Sequence, residues 1–249
     1  MATRTENAAP VAIITGAGSG IGRATALCLW TLGYSLVLVG RDRAKLDSTV
    51  RALPAPAPGH ENAAQTGTLT LAIDIGAPES GVQMVRAAVD RFGRLDALIN
   101  NAGVAPLASI DHSTPELVEQ VFRTNSLAPA AAIAAAWPVF TRQRSGCVVN
   151  VSTMATRDPF PGFFAYAASK ASVNLMARSC ANEGKAIGVR AFAVAPGAVE
   201  TPLLRSLFPE SSLPASACLS PDSVAAVIVA CIRGERDDEN GETIYLQRE

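Results

Sequence analysis

Tyr166 and Lys170 lie four residues apart in Tyr166-Ala167-Ala168-Ser169-Lys170, about one helical turn, so on a helix the phenol and the ammonium share a face. A phenol with its ordinary pKa of about 10 is a poor proton donor or acceptor at neutral pH. A neighbouring cation favours the phenolate, lowers that pKa and brings the group toward acid–base catalysis. The same pair on a solvated helix face does no chemistry, so its meaning comes from its surroundings. Upstream, Thr15-Gly16-Ala17-Gly18-Ser19-Gly20-Ile21-Gly22 follows the apolar run Val11–Ile14 and opens a helix-like segment from Gly20 to about Leu32. Missing Cβ atoms let backbone approach a pyrophosphate, whose charge is favoured at a helix N-terminus. Strand, turn and helix in that order point to dinucleotide binding rather than to a bare tight turn.

The choice of dinucleotide is written at the end of the second strand, which faces the adenosine ribose. A carboxylate there selects NAD through the 2′-hydroxyl, whereas an arginine accommodates the 2′-phosphate of NADP. Here Val39 leads to Gly40 and Arg41, and a guanidinium suits a phosphate monoester. Asp42, one residue on, is the exception to weigh. The expectation is NADP(H) over NAD(H).

The elements that must hold these groups follow from patterning. Strands are expected at Val11–Ile14, Ser35–Val39, Thr68–Ile73, Ala97–Ile99, Cys147–Val151, Val189–Val194 and Thr243–Leu246. Helical spacing is expected over 20–32, 44–53 and 80–92, and the alanine-rich run Ala128–Ala136 reads as a closely packed helix. Strands alternating with helices give an α/β fold, a single-domain Rossmann-like doubly wound parallel sheet of about seven strands with helices on both faces. That domain spans 1–249, with a short substrate lid around 201–220. The Pro/Ala/Gly-rich stretch Pro54–Gly67 reads as an exposed, mobile loop.

Composition excludes several functions. A net charge of −1 over 249 residues leaves no electrostatic footprint for nucleic acid or an anionic membrane. The longest apolar stretch, Leu127–Phe140, contains two prolines and falls short of the roughly 18 residues a spanning helix needs. No basic segment followed by an apolar run opens the chain, so the expected location is cytoplasmic. Five scattered cysteines and two histidines suggest neither a disulfide framework nor a metal site.

Taken together, six motifs in order resemble the short-chain dehydrogenase/reductase family over almost the whole chain. They are the turn Thr15–Gly22; Asp74-Ile75; Asn100-Asn101-Ala102-Gly103; Asn125 in Arg123-Thr124-Asn125-Ser126; Tyr166 with Lys170; and Pro196-Gly197-Ala198-Val199-Glu200-Thr201. The resemblance implies cofactor contacts from Gly16, Gly18, Ser19, Gly20, Ile21, Gly22, Arg41, Asp74, Ile75, Asn100, Asn101, Ala102, Gly103, Tyr166, Lys170, Pro196, Gly197, Val199 and Thr201. It implies that Tyr166 exchanges a proton with the substrate oxygen while hydride moves between that carbon and the nicotinamide. Lys170 lowers the tyrosine pKa and holds ribose hydroxyls, and Asn125 keeps a water in a proton relay to Lys170. A hydroxyl after the fifth strand polarises the carbonyl. The family has two serines there, the second thirteen residues before the tyrosine. Here the pair is Ser152-Thr153, so register favours Thr153, while a one-residue difference in the loop brings Ser152 forward instead.

The substrate wall is expected from Val104, Pro106 and Leu107; from Met154, Arg157, Phe160, Phe163 and Phe164; and from Leu203, Leu204, Leu207 and Phe208. Three phenylalanines in five residues, in a chain only 5% aromatic, suit either core packing or a slot for a lipophilic ketone or alcohol. The leading expectation is an NAD(P)(H)-dependent carbonyl reductase or alcohol dehydrogenase acting on a small-molecule carbonyl or alcohol. The family's four-helix contact implies a homodimer or homotetramer. The competing readings are a non-catalytic cofactor-binding regulator and a lyase on the same scaffold; intact Asn125, Tyr166 and Lys170 argue against the first, and Lys170 with the intact glycine turn against the second.

Overall fold

The computed structural model describes residues 9–55 and 66–248. The apolar runs become parallel strands: β1 (Val11–Thr15), β2 (Ser35–Gly40), β3 (Thr68–Ala72), β4 (Ala97–Asn100), β5 (Gly146–Val151), β6 (Val189–Pro196) and β7 (Thr243–Leu246). They form one seven-stranded sheet in the order β3-β2-β1-β4-β5-β6-β7, every pair parallel. The inner strands β1, β4 and β5 are buried along their whole length, whereas the edge strands β3 and β7 are mostly half-buried.

Because side chains alternate across a strand, β1 sends Val11 and Ile13 into one core and Ala12 and Ile14 into the other. Helices α1 (Gly20–Thr31) and α2 (Arg43–Ala52) cover the Ala12 face, and α3 (Ser80–Phe92) covers the Val11 face. Next come α4 (Pro115–Phe122), one π-helical turn at Arg123–Leu127, and α5 (Ala128–Gln143). The chain then supplies α6 (Phe164–Gly184), α7 (Pro202–Leu207) and α8 (Pro221–Arg233). Helices α5 and α6 join α3 on its face, and α8 joins α1 on the other.

The doubly wound sheet is therefore as expected, with strand ends shifted by one or two residues. The alanine-rich run is the first part of α5, with Ala128, Ala132 and Ala136 on the face buried against α3 and the sheet. Helices α4, α7 and α8 were not read from hydrophobic spacing, although their caps are plain in the sequence. Thr114, Thr201 and Ser220 each precede a proline, and their hydroxyls accept the N–H groups of Leu117, Leu204 and Ser223 at 3.3, 3.2 and 3.0 Å. The Pro54–Gly67 loop lies largely outside the described residues.

Strand order reverses between β1 and β4, so their C-terminal ends splay apart and leave a crevice at that edge. Every motif singled out above follows or ends a strand at that same edge, except for Asn125 and the Tyr166–Lys170 helix, which pack against it from the side.

Candidate active site

A cavity of about 1130 Å³ occupies the crevice. One end of its wall is Gly16, Gly18, Ser19, Gly20 and Ile21, and Asn101 to Gly103, Pro196, Gly197, Val199 and Thr201 carry it onward. These residues fit a dinucleotide on their own geometry. Gly16 holds φ +67°, and a Cβ on Gly22 would lie 2.4 Å from the Gly16 carbonyl oxygen, so only glycine lets α1 start this close to the turn. Ser19 at the N-cap of α1 spends no side-chain bond on the helix, and no acidic residue sits in the first turn. The positive end of a 12-residue helix thus faces the cavity with neither side-chain cap nor carboxylate to compete with a phosphate.

Asn101 closes this end by donating to the Thr15 carbonyl at 2.8 Å, while the Thr15 hydroxyl accepts the Asn101 and Ala102 amides. Asn100 and Gly22 do not reach the wall. Asn100 is buried and donates to Asn150 Oδ1 at 2.9 Å, pinning β4 to β5, so its part is to shape the site from behind.

At the adenosine end the wall is Gly40, Arg41, Asp42 and Lys45, with Asp74, Ile75 and Gly76 opposite. Asp42 is engaged as the N-cap of α2: its Oδ1 accepts the Lys45 amide at 3.1 Å, and the Lys45 ammonium lies 3.9 Å from Oδ2. Among the described residues no carboxylate pairs with Arg41. Of the two carboxylates at this end, Asp42 is engaged by α2 and Asp74 accepts the Gly76 amide at 2.9 Å, while Arg41 is left without one.

The catalytic candidates converge at the middle of the cavity. The Thr153 hydroxyl lies beside the Tyr166 phenol, where it favours the charged form, and it accepts the Ala155 amide at 3.2 Å. Ser152 turns the other way, its hydroxyl 3.5 Å from the Lys170 carbonyl. Lys170 is buried and donates from Nζ to the Val151 carbonyl at 2.7 Å. Asn125 sits in the π-helical turn, a form of insertion common at functional sites. Both of its amide protons are spent, Nδ2 donating to the Val104 carbonyl at 2.8 Å and to the Ser169 hydroxyl at 3.0 Å, while Oδ1 accepts from Val104 at 2.9 Å. Asn125 Oδ1 and Lys170 Nζ both approach Gly103, which places the two groups side by side behind the wall.

The charges differ from the sequence argument. Burial pushes the Tyr166 phenol above its ordinary pKa, and the Thr153 hydroxyl only partly offsets this. Burial also pushes Lys170 down to about 8. The expected lowering of the phenol by Lys170 is absent because desolvation penalises both charged forms. Lys170 is thus poised to titrate near working pH. Stability gains as pH rises from about 8 toward 10.5, since over that range only the unfolded chain holds the proton. For carbonyl reduction the sign is opposite, because the ammonium supports the phenolate formed on proton transfer. We expect kcat/KM for reduction to fall above about pH 8 and Lys170→Arg to move that break upward, as read from pH–rate profiles. A wild-type profile flat to pH 10 would contradict it.

Beyond Tyr166 the wall turns apolar, with Val104, Leu107, Met154, Phe160, Phe163, Leu203, Leu204, Leu207 and Phe208. Phe163 ties this wall to the chemistry, its ring centroid 5.0 Å from that of Tyr166 and 6.4 Å from that of Phe208. Three expected members are elsewhere. Arg157 lies over the Tyr245 ring at 5.8 Å, Phe164 is half exposed on the first turn of α6, and Pro106 is not on the wall.

Two contributions had not been read from the sequence. The segment 201–218 is cross-tied by Arg205, which pairs with Glu200 and donates to the carbonyls of Phe208 at 3.2 Å and Leu213 at 2.7 Å. Gln247 and Arg248, just past β7, also line the cavity. Gln247 and Arg248 have no local signal, because they meet Met154 and Cys218 across segments distant in sequence.

A family model described as short chain dehydrogenase matches residues 10–212. The chain is 31% identical over 243 residues to the 3-oxoacyl-[acyl-carrier-protein] reductase FabG of Thermotoga maritima, a match covering 95% of both chains. The solved structure of levodione reductase superposes with a TM-score of 0.86 at 27% identity, covering 96% of both chains. That of 3-ketoacyl-(acyl-carrier-protein) reductase from Brucella melitensis, complexed with NADH, gives 0.82 at 27% identity over 96% of this chain and 97% of that one. No helix among the described residues is long and apolar enough to cross a membrane, and no cluster there suits a metal ion.

Proposed function

The chain belongs to the short-chain dehydrogenase family and is an NAD(P)-dependent oxidoreductase, and from that premise we propose that it is an NADPH-preferring carbonyl reductase for lipophilic ketones. The observation that carries the reading is the Thr153 hydroxyl beside the Tyr166 phenol, with Lys170 buried close by, set where a glycine cradle meets an apolar wall. The names of the similar reductases, which act on ketoacyl groups and levodione, support reduction as the working direction.

A bound nicotinamide supplies the hydride to the carbonyl carbon. Tyr166 gives its proton to the carbonyl oxygen, leaving a secondary alcohol and a phenolate. Thr153 donates a hydrogen bond to the same oxygen and lowers the cost of charge building there. Lys170 in its protonated form holds the phenolate until it regains a proton, and Asn125 fixes the loop at Val104 against α6 behind it. Segment 201–218 serves as the substrate lid. In the cell the enzyme works in the cytoplasm as a homodimer or homotetramer, paired through α5 and α6, where Leu127, Phe164 and Leu175 are exposed.

NADPH preference rests on Arg41 and Lys45 at the adenosine end, with Asp42 already committed to its helix. The neighbour solved with NADH shows that the fold also accepts the other cofactor. Fluorescence titration should give NADPH at least about tenfold tighter than NADH, a gap of about 1.4 kcal/mol. Arg41→Ala should remove most of that gap by weakening NADPH alone. Preferential NADH binding by the wild type would overturn the assignment.

A further inference from the structure

Beyond Lys170, the apolar part of the wall carries one charged side chain among the described residues. From the segment after β4 it takes Val104 and Leu107, from the segment after β5 Met154, Ala155, Phe160, Pro161 and Phe163, and from the lid the leucines, Phe208 and Ser212, none of them ionisable. The exception is Arg248. The carboxylates that line the cavity come from the β2–α2 turn, β3 and α4, and Glu119 of α4 is paired with Arg123, which packs over Gly76 beside Asp74 at the adenosine end.

The position of Arg248 follows from the sheet. Leu246 pairs with Pro196, and its carbonyl accepts the Gly197 amide at 2.8 Å, so the next two residues leave β7 beside the nicotinamide segment. Gln247 turns toward Met154, with Nε2 3.5 Å from the sulfur. Arg248 crosses to the returning arm of the lid and donates one Nη1 bond to the Cys218 carbonyl at 2.9 Å. That bond orients the guanidinium, and no carboxylate among the described residues pairs with it. A planar cation held by one of its five donors keeps the rest of its fork for an incoming anion. Arg248 is exposed at the rim of the cavity, so its pairing with an anion is open to salt.

We propose that Arg248 is the anion seat of the substrate site, and that the preferred substrate is an oxo acid: a ketone, an apolar body and a carboxylate at the far end. This rests on the reductase reading above and narrows it. Hydride goes to the ketone carbon, the Tyr166 proton goes to its oxygen, and the carboxylate emerges unchanged in a hydroxy acid.

The test compares benzoylpropionate and the longer benzoylpentanoate with their methyl esters, which share the ketone and the apolar body but carry no charge. Wild-type kcat/KM should favour the better of the two acids over its ester by about tenfold, an advantage that shrinks with added salt. Arg248→Gln should bring the acid-to-ester ratio to about one, chiefly by raising KM for the acid, and Arg248→Lys should retain part of it. Equal rates for acid and ester in the wild type, or an acid preference that survives Arg248→Gln, would overturn the proposal. Binding of phenylbutyrate and of its neutral amide to the NADPH complex reads the seat without turnover. Tighter binding of the carboxylate, lost in Arg248→Gln, upholds the seat even if no ketone is reduced, in which case only the reductase reading fails. Equal binding of carboxylate and amide refutes the seat itself.

Discussion

Tyr166→Phe is expected to lower kcat by about 10³-fold while NADPH binding changes less than about threefold. A positioned general acid contributes typically 10²–10⁴-fold, and in this cavity no other hydroxyl combines a proton near the apolar wall with a buried lysine beside it. The substitution tests chemistry alone because the ring stays. Phe163 packs on that ring at 5.0 Å and is itself held by Phe160 and Phe208, so phenylalanine at 166 keeps the cluster intact. Turnover of a simple aryl ketone, followed by NADPH oxidation alongside a melting curve, separates the two effects. An undiminished rate in a folded variant would move proton transfer to another group.

Thr153→Val should cost about 10²-fold or more in kcat, the scale of losing one donor to a developing oxyanion. Valine has nearly the same shape, so the wall is preserved while the hydroxyl is removed. The change also deletes the bond that Ala155 makes to Thr153, a cap-like contact worth about 1 kcal/mol, and the melting temperature should drop modestly. Thr153→Ser restores the hydroxyl and should recover most of the rate. Ser152→Ala should stay within about threefold of wild type, because that hydroxyl faces the Lys170 carbonyl and not Tyr166. The reverse pattern, with Ser152→Ala severe and Thr153→Val mild, would reassign the polarising hydroxyl. The sequence left both residues open, since a one-residue slip in a loop exchanges them.

Much of the scaffold was legible because its signals are local. Inner strands of a parallel sheet are buried on both faces, so they read as unbroken runs such as Ser35–Val39 and Cys147–Val151. The glycine turn and the one-turn spacing of Tyr166 and Lys170 are likewise written in a few consecutive residues. Ionisation was not legible, because the pKa of a phenol depends on what buries it. Neighbour identity alone suggested a lowered value, and desolvation reversed the sign. The commitment of Asp42 to capping α2 could have been read from Asp42-Arg43-Ala44-Lys45, but only by asking which of two plausible partners claims the carboxylate. Arg205 and Arg248 were beyond reach. Arg205 bonds within an irregular loop that has no periodic pattern, and Arg248 joins segments that meet only once the sheet has brought β7 and the returning loop to one edge.

The segment proposed as a lid leaves and rejoins the body at one place. Val199 and Leu219 form an isolated parallel bridge, with Glu200 donating to the Leu219 carbonyl at 2.9 Å and Leu219 to the Ala198 carbonyl at 2.8 Å. Arg205 cross-ties the interior of the loop, so its shape is set largely from within. The twenty or so residues between these anchors behave as an exchangeable cassette. A different insert with the same two ends can be grafted onto the sheet while Thr153, Tyr166 and Lys170, all on other segments, stay where they are. A recombined insert can therefore change what such a protein acts on, provided it also replaces the contacts that Phe208 makes to Phe163 and Thr201 makes at Gly20.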